Sequence, residues 1–143
     1  MPIKNYTTSV PASRSVEEIQ TALVRHGATG IFYQYEQGTG RVLALKFVLL
    51  IEQASVPFSL PVEWRRFQQV LKNDKVSRWK DEEYCYRVAW RCLRDWVLAQ
   101  LALYETRMVE IPQMFLPFAL SKDGATLYEK ALGNGGFMLE SGN

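Results

Sequence analysis

A single histidine and two cysteines among 143 residues leave little material for metal binding or catalysis. Structural zinc sites draw on repeated Cys and His at short spacings, and His26, Cys85 and Cys92 cannot supply such a set. A Ser/His/Asp or Cys/His catalytic arrangement would have to use His26, which falls at the last turn of an expected helix just before Gly27. There an imidazole is expected to cap carbonyls at the negative end of the helix dipole. The two cysteines lie seven apart in a strongly helical segment, about 10.5 Å along the axis at about 1.5 Å per residue. A disulfide needs Cα atoms within about 7 Å, so they cannot bridge within one helix, and both are expected to be small core residues.

Phosphate cradles are missing as well. The glycines of QGTGR and LGNGG fit neither G-x-x-x-x-G-K nor G-x-G-x-x-G. The one carboxylate run, Asp81 to Glu83, suits a helix N-terminus better than a metal cluster. No metal or cofactor is therefore expected, and the residues lean against an enzyme while leaving one open. Long apolar runs are scarce too. The longest, VLALKFVLLI, is interrupted by Lys46 and falls short of the roughly 18 uninterrupted apolar residues of a membrane span. The opening MPIKNYTTSVPASRS lacks the apolar stretch of a signal peptide. These absences predict a soluble, cytoplasmic protein with no membrane partner.

What is present is material for one core. The length suits a single domain over residues 1–143, and 48% of residues are apolar. Aromatics reach 13%, enough for some rings to lie on the surface. The net charge of +2 permits a nucleic-acid partner without demanding one.

Along the chain, IKNYTTSV (3–10) is rich in β-formers and predicts an edge strand ended by Pro11. SVEEIQTALVRHG predicts a helix, with Ser15 and Glu18 as a capping box and Gly27 in the αL position beyond its end. GIFYQYE alternates, QGTG makes a turn, and RVLALKFVLLIE resumes as a long strand with Leu43, Leu45, Phe47, Leu49 and Ile51 on its buried face. ASVPFSL is a third meander strand, placed at an edge or bulge by Pro57. After Pro61, read as a helix N1 residue, VEWRRFQQVLKND is amphipathic, with Trp64, Phe67, Val70 and Leu71 inward. The longest helix runs from about Asp81 to Met108. A short helix opened by Pro112 and disturbed near Pro117, a turn at Lys122 to Gly124, and a last helix closed by Gly133 follow. The sequence thus predicts an α+β fold: a β-α-β-β-β antiparallel meander over residues 1–60 packed on a helical part over 61–133 with one long central helix. A tail at 134–143 is expected to fray.

The stretch VSRWKDEEYCYRVAWRCLRDW, Val76 to Trp96, mixes cations with rings. Its apolar positions form two adjoining helical stripes, so Trp90 and Trp96 are expected in the core, leaving a narrow outward ridge of Arg87, Arg91 and Arg94. From Val62 to Arg94 there are nine basic and five acidic residues, a local excess of four in a chain whose whole excess is two. Trp79, between Arg78 and Lys80, belongs to no core stripe, and a ring flanked by cations can stack on an unpaired base. The candidate nucleic-acid contacts are Arg65, Arg66, Arg78, Trp79, Lys80, Arg87 and Arg91.

Val88, Ala89, Trp90 and Arg91, then Asp95, Trp96 and Gln100, then Phe115, Leu116 and Pro117, with Ser15, Glu18, Ile19 and Gly27, resemble a family of short proteins from bacteria, bacteriophages and other mobile elements. The resemblance carries no catalytic residue. It implies a setting in which DNA handling and interference with host defence are common tasks. Two functions are compatible with the sequence: a non-enzymatic binder of nucleic acid, single-stranded DNA first, or a protein-interaction module, such as a phage-encoded inhibitor, using Tyr33 and Tyr35 as anchors.

Overall fold

The computed structural model describes residues 1–133, so the predicted frayed tail at 134–143 lies outside the described residues. The fold is α+β. Helix α1 (Ala12–Arg25) precedes three strands, β1 (Gly30–Tyr35), β2 (Val42–Ile51) and β3 (Ala54–Pro61), which form an antiparallel sheet in the order β1-β2-β3. Helices α2 (Trp64–Asn73), α3 (Glu82–Glu105), α4 (Ile111–Phe115) and α5 (Leu127–Gly133) follow, with a single 3-10 turn at Leu116–Phe118 between the last two.

The predicted N-terminal strand does not form. Residues 4–7 make a turn instead, with Asn5 at φ 67° and its side-chain amide donating to Asp95 at 2.9 Å. The Ile3 amide donates to Asp74 at 3.0 Å, and the Tyr84 hydroxyl donates to the Tyr6 carbonyl. Side-chain and backbone bonds to α2 and α3 therefore override the β-propensity of this segment.

Helix α1 also starts earlier than its capping-box signature suggests. It begins after Pro11, which leaves Ser15 fully buried within the helix and frees Glu18 to pair across to α3. Its C-terminus follows the prediction: Gly27 sits at φ 102°, and the Ala28 amide reaches the Leu23 carbonyl at 2.9 Å. Pro61 closes β3 rather than opening α2, and Val70 is 38% exposed rather than inward.

Side-chain alternation in β2 sets the core. Leu45, Phe47 and Leu49 are buried, while Leu50 on the other face is 62% exposed. Phe47 stacks on Phe58 of β3 with centroids 5.2 Å apart, and Phe115 of α4 meets both edge-on at 5.4 and 6.2 Å. From the helical side, Trp96 contacts Phe115 at 5.9 Å, while Trp90 is fully buried with its ring 6.4 Å from that of Tyr86. As an edge strand β3 tolerates Pro57, whose carbonyl accepts from the Leu120 amide at 2.8 Å.

Helix α3 is the spine. The Asp81 side chain accepts from the Tyr84 amide at 3.1 Å, so the acidic triplet caps the helix as its sequence indicates. Cys85 is buried, Cys92 is half-buried, and both thiols are free. His26 completes a tie between helix ends: its Nδ1 lies 2.7 Å from the Ala22 carbonyl and its Nε2 2.9 Å from Glu105.

Candidate functional site

Helix α2 ends in a tight Schellman turn that shapes the corner leading to α3. The Val76 amide reaches the Leu71 carbonyl and the Lys75 amide the Lys72 carbonyl, both at 3.0 Å, with Lys75 in the left-handed region at φ 59°. Two donors then hold the Trp79 carbonyl: Gln68 Nε2 at 3.1 Å from α2 and Cys85 Sγ at 3.3 Å from α3. The loop between the helices is thus pinned from both sides, which fixes where its cations and ring stand.

Trp79 is half-buried against the core, more enclosed than its sequence position suggests. The Lys72 ammonium lies 5.0 Å and the Lys80 ammonium 5.5 Å from its ring centroid. One turn into α3, Tyr84 carries the Arg78 guanidinium at 4.6 Å and that of Arg87 at 5.9 Å. Arg78, Trp79, Lys80 and Arg87 therefore belong to one corner, as two adjacent ring-and-cation groups.

The other predicted residues are committed elsewhere. Arg91 is not on an outward ridge: it is 19% exposed and bonds Glu18 of α1 at 2.9 Å, while Arg94 reaches the same carboxylate at 2.7 Å. Helix α1 covers that side of α3, which the projection of α3 alone could not reveal. Burial acts to raise the Glu18 carboxyl, but the Arg94 and Arg91 guanidiniums outweigh it and hold the group below its ordinary value. Arg65 stacks on Trp64 at 4.3 Å and forms a 2.7 Å pair with Glu36, and Arg66 pairs with Glu63. Arg78 is itself bonded to Asp81 at 2.7 Å, the leading reason that carboxyl sits below its usual range.

Of the nine basic residues from Val62 to Arg94, five have a carboxylate partner. Lys72, Lys75, Lys80 and Arg87 have none among the described residues. Lys72 is a member of the corner that the sequence reading does not include. Its signal lies in helical spacing: it stands four residues after Gln68, on the α2 face turned to Trp79. The corner can attract anions through its lysines and offer a ring to a planar partner.

Among the described residues no group of three His, Cys, Asp or Glu could hold a metal ion, and no helix is long and apolar enough to cross a membrane. Compared with family models, curated proteins and solved structures, the chain matches none. Several of the residues singled out in the sequence meet between α1 and α3, where Ser15 and Ile19 are buried with Val88 and Glu18 binds Arg91. Their part is to join helices.

Proposed function

We propose that the protein is a non-enzymatic binder of single-stranded nucleic acid, DNA first, acting in the cytoplasm through the corner between α2 and α3. The observation that carries this reading is the half-buried Trp79 ring with the Lys72 and Lys80 ammoniums 5.0 and 5.5 Å from its centroid, both lysines exposed and without a carboxylate partner among the described residues. An unpaired base enters by displacing a lysine from the ring face. The displaced ammonium then moves to a flanking phosphate, so the cation stays engaged while base–ring stacking replaces the cation–π interaction. Lys75 and Arg87 extend the positive rim, and Arg78 joins it by exchanging Asp81 for phosphate. A duplex hides its base faces and gains only the electrostatic part.

Variant titrations against a labelled oligonucleotide test this. Trp79→Ala should cost about 1–3 kcal/mol in single-strand affinity with little change in salt dependence. Lys72→Ala with Lys80→Ala should weaken binding to all sequences alike and reduce the log–log salt slope by about 1.4, roughly 0.7 for each phosphate no longer neutralised. Equal, small effects from both would count against a stacking site. Circular dichroism on each variant separates lost binding from lost folding.

A further inference from the structure

A cavity of about 420 Å³ lies between α1, the sheet and the first turn of α3, and none of the corner residues named above lines it. Three tyrosines, Tyr33, Tyr35 and Tyr86, form its walls with Val16, and two carboxylates, Glu17 and Glu83, stand among them. We propose that this pocket receives the side-chain ammonium of a lysine presented by a partner protein.

The walls are already set. The rings of Tyr33 and Tyr35 are 6.4 Å apart and tilted by 53°, the Tyr33 hydroxyl donates to Gln20, and the Tyr86 hydroxyl accepts from the Val42 amide at 2.7 Å. Tyrosine rings present a negative face that attracts a cation, and the apolar stem of a lysine packs along rings and Val16 while its ammonium reaches the carboxylates. The charge in the pocket is only partly compensated from within. Glu17 has no cation partner among the described residues, and Glu83 meets Arg41 only at 4.0 Å, while Arg41 lies nearer to Glu82 at 3.3 Å. Arg41 is 18% exposed and held over the Trp64 and Tyr86 rings at 4.9 and 5.8 Å, so it does not fill the site.

Two features select the occupant. The carboxylates come from different helices and offer no single planar pair, which suits a compact ammonium better than the two-pronged guanidinium. Tyr35 is 60% exposed, so the pocket is open on one side. A free small cation would stay half-hydrated there, whereas a lysine on a protein surface adds contacts around the rim. The pocket is independent of the nucleic-acid corner, since an acidic, tyrosine-lined cavity repels phosphate.

The test is an NMR titration of the full chain, following the Tyr33 and Tyr35 ring resonances, with Nα-acetyl-lysine-N-methylamide and its norleucine and arginine counterparts. Isolated lysine is expected to bind at millimolar strength, to shift both rings, and to outdo the neutral norleucine compound. Tyr35→Ala and Glu17→Gln, both at exposed positions, should each weaken it about two- to fivefold, as expected for a cation–π interaction near solvent. No shift at tens of millimolar, an equal response to norleucine, a stronger response to arginine, or undiminished binding by both variants would each overturn the proposal.

Discussion

Replacing Glu18 by Gln probes the ionic cluster that joins α1 to α3. The carboxylate accepts from Arg94 Nε at 2.7 Å and Arg91 Nη1 at 2.9 Å, with Arg14 nearby at 3.4 Å. All three members of the central group are largely enclosed: 27% of the Glu18 side chain, 19% of Arg91 and 27% of Arg94 remain exposed. Glutamine keeps one oxygen as acceptor but removes the charge, leaving Arg91 and Arg94 side by side with Asp95, 3.0 Å from Arg94, as the carboxylate that balances them among the described residues. Hydrogen bonds to charged groups contribute about 1.5–3 kcal/mol each when buried, and partial solvent exposure lowers this towards the range of surface pairs. Glu18→Gln should therefore destabilise by about 1–2 kcal/mol at pH 7, lowering Tm by roughly 3–8 °C in a chain of this size.

The pH dependence follows from the lowered Glu18 pKa. A carboxyl whose folded-state value is depressed contributes its full stabilisation above its ordinary value, and loses it as pH falls through the folded-state value. Urea titrations of both proteins should show a constant gap from neutral pH down to about pH 5, closing below about pH 4. A Glu18→Gln protein as stable as the parent at pH 7, or a gap that persists undiminished in acid, would refute this account of the interface.

Trp90→Ala should cost about 3–5 kcal/mol, as large-to-small changes at fully buried sites do; a variant matching the parent in urea would show that the helix packs otherwise. The β2–β3 turn places Glu52 and Gln53 at φ 48° and 69°, where Asn-Gly is the favoured pair. Glu52→Asn with Gln53→Gly should raise stability by roughly 0.5–1 kcal/mol, measured by thermal melting, and a loss would contradict the assigned turn. Reductant should leave Tm and oligomeric state unchanged, because Cys85 is buried and both thiols are free; a shift of many degrees would reveal a disulfide.

Where neighbouring residues decide structure, the sequence is readable. Alternation in β2, the Asp81 cap and Gly27 at the end of α1 are local signals, and each stands where the pattern puts it. Where distant partners decide, it is not. The N-terminal segment carries β-forming residues, but Asp74 and Asp95 capture it as a turn. Arg91 looks solvent-facing on a projection of α3 because the helix that covers it lies 73 residues earlier at Glu18. The same limit shapes the candidate site: Arg78, Trp79 and Lys80 are adjacent in sequence, whereas Lys72 joins them only through the angle between α2 and α3. The pairing of five basic residues with carboxylates is likewise invisible to a count of charges.

Fluorescence anisotropy of the parent protein with labelled single-stranded and duplex oligonucleotides, each at low and at physiological salt, tests the central claim most directly. The account predicts single-strand binding at low salt that exceeds duplex binding and weakens as salt rises, with a log–log slope of about 2–3 for three or four neutralised phosphates. No binding to either oligonucleotide at low salt, where a basic corner is most favoured, would contradict it.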